Sequence, residues 1–304
     1  MPTSGLALLL RKDNEVFDLA RRGRRLPNIL MAILAIFMII VVSFVPFAVA
    51  TDVIYGNEDA LVEIWGGAFY LIAPFLLSIV SLGLWVRGYE RRPFSTVGLE
   101  AQSRLKKYLV GLAIGFLMLA ATIGMMALAG TVEFDPSADR PIGVGVVVGV
   151  MLMLAGFLVQ GGAEEIMWRG WLVQVLGARY VPWIGLLASS LLFAGLHGST
   201  SIVANLNLVL FAAFLAFYYL YEGSIWGAMG WHATWNWAQA SFFGITLSGA
   251  FETEHSLMNL RPTGSPLLSG GDFGPEASLF CTAVFLMGLV ILALLSKRSA
   301  GRTR

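Results

Sequence analysis

Residues 142–170 read IGVGVVVGVMLMLAGFLVQGGAEEIMWRG, an apolar run that ends in a cluster of charged side chains. The run has the composition of a transmembrane helix, which needs about 20 mostly apolar residues. Glu164, Glu165 and Arg169 follow within the same apolar region. Ionisable side chains are costly inside a membrane and usually mark a functional site. The stretch therefore predicts a membrane helix that carries a polar site.

The composition of the whole chain supports this interpretation. Of its 304 residues, 57% are hydrophobic and 13% are charged, whereas soluble domains are about a quarter charged. The single cysteine, Cys281, excludes an intrachain disulfide and a thiolate metal cluster. Basic runs beside apolar runs are typical of membrane topology signals, so no nucleic-acid partner is expected.

The apolar runs predict an all-α fold, a polytopic membrane helical bundle of about eight transmembrane helices. The runs lie at residues 29–50, 64–86, 108–130, 143–176, 182–200, 205–220, 224–246 and 277–295. The fourth run is too long for one straight span, because a helix rises about 1.5 Å per residue and the bilayer core is about 30 Å thick. Part of it is expected to tilt, to break or to leave the bilayer.

The positions of lysine and arginine predict the topology. Of the 20 Lys and Arg residues, only Arg140 and Arg261 fall in outer loops when the N-terminus is placed inside. The positive-inside rule therefore predicts that both termini are cytoplasmic. Arginine outnumbers lysine, which favours a bacterium with a GC-rich genome, and the expected location is the bacterial inner (plasma) membrane.

These patterns divide the chain into five predicted segments. They are a cytoplasmic basic leader (1–28), two N-terminal transmembrane helices (29–89), a membrane core with the charged cluster (90–246), an extracytoplasmic loop (247–276) and a last transmembrane helix with a basic tail (277–304). The loop is rich in Gly and Pro, which predicts a flexible, exposed segment.

The two adjacent glutamates need not do the same work. Glu165 and Arg169 are spaced i,i+4 on a helix and can form an ion pair, in a structural or a functional role. Glu164 points about 100° away and has no such partner. We therefore expect Glu164 to face a cavity or another polar group.

Two further motifs place histidines in apolar helices. In FAGLH, Phe193 and His197 share a helix face, and in HATWN, His232 and Asn236 do the same. A lone histidine on an apolar helix is more often a buried, hydrogen-bonded residue than a catalytic one. Together with Glu164 they offer a different chemistry: a carboxylate beside an imidazole can activate water, and an imidazole with an amide can stabilise an oxyanion. The set predicts hydrolysis by activated water inside a membrane cavity.

The three motifs are similar to those of a known family. EEIMWRG resembles the EExxxR motif of the CPBP family, the CAAX-protease and bacteriocin-processing endopeptidases also called the ABI family. FAGLH resembles its FxxxH motif, and HATWN resembles its HxxxN motif. The similarity covers about residues 90–245. Met167 and Trp168 stand where the family often has Leu and Phe.

The resemblance implies an intramembrane glutamic endopeptidase whose cavity opens to the cytoplasm. Its substrate would be a peptide or a membrane protein, with or without a lipid group, at the lipid bilayer. The implied roles are water activation by Glu164 and His197, oxyanion binding by His232 and Asn236, and support by Glu165, Arg169 and Phe193.

No metal cofactor is expected, and zinc is the less favoured alternative. The chain lacks the HExxH motif, which would place two imidazoles on one helix face, and Asn236 is a poor zinc ligand. Two other functions are considered. A non-catalytic scaffold or bacteriocin-immunity-type protein would not need this set of polar residues, and a transporter predicts an internal repeat, of which the sequence has no sign.

The expected depths of the two histidines disagree. His197 lies about 22 Å along a helix that begins at Pro182, whereas His232 lies only about 12 Å beyond Ser224. A tilt, or an interfacial start of the fifth helix, is needed to bring both imidazoles to one level.

Overall fold

A computed structural model describes residues 5–55, 67–135, 146–253 and 255–302. Residues 64–66 and 143–145, where two of the predicted helices begin, lie outside the described ranges, and so does Arg140. Within the described ranges the chain is mostly helical. The helices are α1 (Gly5–Leu9), α2 (Glu15–Arg21), α3 (Ile29–Tyr55), α4 (Ala68–Trp85), α5 (Arg104–Leu128), α6 (Val147–Glu165), α7 (Gln174–Arg179), α8 (Pro182–Leu196), α9 (Ile202–Glu222), α10 (Trp226–Trp237), α11 (Pro266–Ser269) and α12 (Leu279–Arg302).

Shorter elements extend or connect these helices. Wider π-helical segments, in which each N–H bonds five residues back, follow α4, α6 and α10 at Val86–Glu90, Ile166–Val173 and Ala238–Phe242. Strands β1 (Val132–Phe134) and β2 (Leu260–Pro262) form an antiparallel pair. Single 3₁₀ turns lie at Phe94–Thr96, Gly271–Phe273 and Pro275–Ala277.

The predicted polytopic helical bundle is confirmed. Each of the eight apolar runs contains a helix, and six helices in the described part of the chain are long and apolar enough to cross a membrane. They are Ile29–Val53, Ala68–Glu90, Arg104–Leu128, Val147–Arg179, Ile202–Glu222 and Leu279–Gly301. The helices α8 and α10 have 15 and 12 residues and are shorter than a full span, so the count of eight spans stays a prediction.

Local sequence signals set several helix ends near the site. Pro182 begins α8, where its missing N–H costs no hydrogen bond. The side chain of Ser201 accepts a hydrogen bond from the backbone N–H of Ala204 and caps the start of α9. Gly223 ends α9 with a φ of 69°, a left-handed conformation that suits glycine. These signals fix the turns that surround α8 and α9.

The long fourth run continues without a break from α6 into α7. Within it the helix type changes, because Ile166–Val173 forms a π-helix. All eight residues of this segment are buried. Such wide turns occur often at functional sites, and this one begins directly after Glu165.

The basic segments gather at one end of the bundle, which we call the basic face. Arg22 of the leader pairs with Glu100 at 2.8 Å, and Arg179 donates to the carbonyl oxygen of Leu26. Lys107 donates to the backbone oxygen of Glu222, at the turn between α9 and α10. The opposite end, which we call the distal face, carries β1, β2 and the connection between α10 and α12. The predicted topology makes the basic face cytoplasmic.

The loop at 247–276 differs from our expectation. It contains β2, α11 and two 3₁₀ turns, and part of it is buried rather than exposed. Ser256 and Glu276 are only 1% and 5% exposed. Glycine and proline indicate where a chain turns but not whether the turn is exposed, so the composition could not reveal that this loop packs into the bundle.

Candidate active site

Glu165 and Arg169 form the ion pair that their spacing predicts. Both side chains are fully buried, and Arg169 Nη1 donates to Glu165 Oε1 at 2.8 Å. The guanidinium lies 4.4 Å from the centre of the Phe193 ring, in cation–π geometry. Arg169 Nε also donates to the carbonyl oxygen of Ala212 at 3.4 Å. The pair thus joins the π segment to α8 and α9.

Glu164 lies on a different side of the helix and lines a cavity. Its side chain is 16% exposed, while that of Glu165 is 0% exposed. Gln160 Nε2 donates to Glu164 Oε1 at 2.7 Å, and Asn236 Nδ2 donates to Gln160 Oε1 at 3.0 Å. Gln160 therefore fixes the carboxylate and connects it to α10.

Gln160 was not identified in the sequence analysis, although a signal was present. It precedes Glu164 by four residues, so the two side chains share one face of α6. It is also the one polar side chain in the apolar run before Gly161. A hydrogen-bond partner for a carboxylate within a membrane helix could have been sought at that position.

His232 lies between the two glutamates. Its Nδ1 is 2.7 Å from Glu165 Oε1, and its Nε2 is 3.9 Å from Glu164 Oε2. A carboxylate can only accept, so Nδ1 carries the hydrogen and Nε2 faces Glu164. The resemblance implied an oxyanion role for this ring, and the structure adds a direct contact with the Glu165–Arg169 pair. His232 is 2% exposed and lines the same cavity.

His197 ends α8 and lines the cavity with Glu164. Its Nδ1 lies 2.7 Å from the carbonyl oxygen of Phe193, which can only accept. Nδ1 therefore carries the hydrogen, and Nε2 of the neutral ring has a free lone pair. Among the described residues no hydrogen bond joins His197 directly to Glu164, but both side chains line the same cavity.

Phe193 resolves the disagreement between the predicted depths of the histidines. Its ring centre is 4.6 Å from that of His197 and 6.3 Å from that of His232. The Phe211 ring of α9 completes the contact, at 4.9 Å from His232. Rise per residue gives depth only for helices that run parallel to the membrane normal, and contacts between helices decide the actual level.

The cavity has a volume of about 200 Å³ and two chemically different ends. Gln160, Glu164, His197, His232 and Asn236 form the polar end. The rest is mainly aromatic and aliphatic, with contributions from Phe44, Tyr70, Leu71, Phe75, Phe157, Phe193, Leu208, Phe211, Leu247 and Phe251. The cavity is roomy and polar enough at one end to hold water, since a single water needs only about 10–15 Å³ of such volume.

A third carboxylate, that of Glu276, reaches the cavity from the loop before α12. It accepts hydrogen bonds from the backbone N–H and the hydroxyl of Ser248, at 2.8 and 2.7 Å. Its other oxygen accepts from Trp235 Nε1 at 3.3 Å. Glu276 thus attaches the loop to α10, one residue before Asn236. The sequence placed it among the acids of an outer loop, and no motif marks it.

In the described part of the chain, no group of three or more His, Cys, Asp or Glu side chains has an arrangement that could hold a metal ion. The polar end of the cavity instead combines Glu164 and two imidazoles with an amide-bearing glutamine and asparagine, the donors and acceptors of a hydrogen-bonded water site.

Comparison with known proteins bears on residues 146–238. This segment matches the family model described as Rce1-like, type II CAAX prenyl endopeptidase. It contains the three motifs and all five side chains that form the polar end of the cavity. No curated protein and no solved structure matches the chain. The chain is therefore a polytopic membrane protein whose residues 146–238 are similar to the Rce1-like CAAX prenyl endopeptidases, in agreement with the CPBP resemblance of its motifs.

Proposed function

We propose that the chain is an intramembrane endopeptidase that hydrolyses peptide bonds of a membrane-associated protein or peptide with water activated by Glu164 and His197. The observation that carries this proposal is the position of Glu164. Its carboxylate faces a cavity, is oriented by Gln160 and shares that cavity with His197, His232 and Asn236. A charged side chain in that position inside a membrane protein has a high cost and needs a use.

The water-activation step uses one carboxylate and one imidazole nitrogen that face the cavity. A water molecule in the cavity donates one proton to Glu164 as its oxygen attacks the scissile carbonyl carbon. The neutral His197 accepts through Nε2 the second hydrogen bond of this water, because its Nδ1 is already bonded to the backbone of Phe193. Glu164 then returns the proton to the leaving amine, so that the carboxylate is regenerated.

The developing oxyanion needs donors on the opposite side of the carbonyl. Asn236 has one amide hydrogen bonded to Gln160 and a second that can donate to substrate. His232 adds a donor at Nε2 when its ring carries two protons. A single oxyanion donor is worth about 10²–10³ in turnover, so both side chains would contribute measurably. Glu165, which is paired with Arg169, accepts a hydrogen bond from His232 and so orients its ring.

The cavity also favours a class of substrate. Its walls beyond the polar end are aromatic and aliphatic, so the residues beside the scissile bond should be apolar. A peptide or a membrane protein meets this requirement with or without a lipid group. We further propose that the protein acts in a bacterial inner membrane.

A purified-protein assay tests the function. Wild type, Glu164→Ala and His197→Ala would be compared on a quenched fluorescent peptide library in detergent or proteoliposomes. Asp13→Asn is the matched control, because this exposed acid pairs with Arg11 in the leader, far along the chain from the motifs. We expect cleavage by wild type and by the control only. Cleavage that survives both alanine substitutions would contradict the mechanism.

A chelator tests the cofactor prediction in the same assay. Turnover should be unchanged after treatment with a strong zinc chelator. Activity that is lost and then restored by added zinc would favour the metal alternative. A folded wild type that cleaves no peptide and no membrane-protein substrate would favour a non-catalytic scaffold.

A further inference from the structure

A second, larger cavity adjoins the candidate active site on the distal face. Its volume is about 560 Å³, and its walls come from three segments: residues 197–203 between α8 and α9, and residues 248–250 and 266–277 of the connection between α10 and α12. We call it the outer chamber. His197, Ser248 and Ala250 line both cavities. One imidazole of the proposed water site is therefore also part of the wall of the outer chamber.

The chemistry of the chamber suits an extended polypeptide. Its walls are rich in glycines and hydroxyl side chains, namely Gly198, Gly249, Gly270, Gly271, Ser199, Thr200 and Ser201. Glycines leave the backbone accessible, and hydroxyls both donate and accept, so such walls can hydrogen-bond the N–H and C=O groups of a bound strand. By contrast, the cavity at Glu164 is walled mainly by aromatic and aliphatic side chains. The outer chamber thus matches a peptide backbone, and the inner cavity matches the apolar residues at the scissile bond.

Tight packing separates the candidate active site from the basic face. The π segment Ile166–Val173 follows Glu165 directly and leads towards the basic face, and all of its residues are buried. On the neighbouring helices, Gly111 lies against the backbone of Gly227, and Gly115 lies against the backbone of Trp231. A side chain at either glycine would collide with backbone atoms. These contacts leave little room for a polypeptide to approach Glu164 from that end.

The partition between the two cavities is anchored. Glu276 holds both the backbone N–H and the hydroxyl of Ser248, and its other oxygen is held by Trp235. These bonds fix the loop beside α10 and leave Ala250 and Gly249 exposed towards the chamber. These hydrogen bonds hold residues 248–250 in one position between the two cavities.

We propose that the substrate reaches the active site from the extracytoplasmic side, as an extended polypeptide segment bound in the outer chamber. This inference rests on the proposed function and on the topology that the basic residues predict. It differs from the cytoplasmic opening that the family resemblance implies. The substrates would be peptides or membrane proteins with an extended segment at the outer surface of the membrane.

Site-directed labelling tests the side that the chamber faces. Thr200→Cys places a thiol at an exposed position of the chamber, and Gln102→Cys places a matched thiol at an exposed position of the basic face. The native Cys281 is fully buried, so wild type serves as the unlabelled background. A membrane-impermeant maleimide added to intact spheroplasts should label only Thr200→Cys. After permeabilisation it should label both variants. Labelling of Gln102→Cys alone in intact spheroplasts would overturn the proposed side of access.

Blocking the chamber tests its use. Thr200→Cys and Gln102→Cys would be modified with a bulky PEG-maleimide, and their cleavage of the library peptides would be measured. Modified Thr200→Cys should lose at least about tenfold in turnover, while modified Gln102→Cys should match its unmodified form. Equal turnover before and after modification of Thr200→Cys would refute the chamber as the substrate route. If unmodified wild type cleaves no peptide, the proposed function fails, and the labelling pattern still decides which side the chamber faces.

Discussion

Two buried carboxylate–arginine pairs lie in the same membrane bundle and differ in their surroundings. Glu90 and Arg92 bond at 2.6 Å, Glu165 and Arg169 bond at 2.8 Å, and all four side chains are fully buried. The Glu90 pair is enclosed by protein donors. Trp171 Nε1 donates to Glu90 Oε1 at 2.6 Å, together with Trp85 at 3.1 Å, while Arg92 donates to Gln174 and Thr96.

The Glu165 pair instead borders the cavity. The oxygen that pairs with Arg169 also bonds His232, whose other nitrogen faces Glu164. Burial and pairing are therefore similar at the two sites. What distinguishes them is an adjacent carboxylate with access to a cavity. Ionisable groups in a membrane protein support structure where they are sealed, and chemistry becomes available where one of them is left facing water.

The largest expected effect is the loss of activity in Glu164→Gln. The amide keeps the shape of the side chain and can still accept from Gln160 but cannot take a proton from water. Turnover should fall about 10⁴-fold, or ~5 kcal/mol in activation free energy, the upper range for a general base. Cleavage rates and thermal unfolding in detergent would be measured together. Unchanged turnover in a folded variant would contradict a catalytic role for Glu164, and with it the functional difference between the two sites.

Arg92→Leu should have the next largest effect, on stability alone. It leaves the buried Glu90 carboxylate without its cation, which typically costs about 3–5 kcal/mol. The free energy of unfolding in detergent should fall accordingly, with turnover per folded molecule retained. The double variant Glu90→Gln/Arg92→Leu should recover part of this loss, because the buried charge is removed with its partner. Unaltered stability in Arg92→Leu would contradict a sealed structural role.

Glu165→Gln should lower both stability and turnover by moderate amounts. This residue belongs to a buried ion pair and also bonds a side chain of the cavity. Arg169 loses its buried anion, and stability should fall by about 2–3 kcal/mol. The amide oxygen can still accept from His232, so turnover should fall only about tenfold. The loss of stability and the loss of turnover would both be measured, in the same experiments as for Glu164→Gln. A larger loss of turnover in Glu165→Gln than in Glu164→Gln would reverse the assigned roles.

The smallest effects separate two buried glutamines. Gln160→Leu removes the donor that orients Glu164, and turnover should fall about tenfold, or ~1.4 kcal/mol, with little change in stability. Gln174→Leu removes bonds to Arg92 and Tyr219 in the sealed network and should cost about 1–3 kcal/mol in stability with turnover kept. The same assay and unfolding measurement serve both variants. If both glutamines affected the same quantity, the two sites would not be distinct in function.

Local signals explain why the helices and the motif pairs could be predicted. The apolar runs are long, and the i,i+4 spacing of Glu165 and Arg169 fixes their proximity within one helix. Contacts between segments distant in sequence had no such signal. The bond from His232 to Glu165 joins positions 67 residues apart, and the bond from Asn236 to Gln160 joins positions 76 apart. The helix type was also missed, because a π segment has the same composition as the α-helix around it.

The sequence by itself determined a polytopic helical membrane protein and the motifs that relate residues 146–238 to a family of CAAX endopeptidases. It also determined that Glu164 and Glu165 face different surroundings, because helix periodicity separates adjacent side chains by about 100°. Only the tertiary structure decided that His232 lies between them and that Glu276 anchors the loop beside the cavity. It alone placed the outer chamber on the distal face. The physical reason is that apolar periodicity fixes where a helix forms and which side is polar, whereas close packing between helices decides which polar groups meet and where a cavity remains.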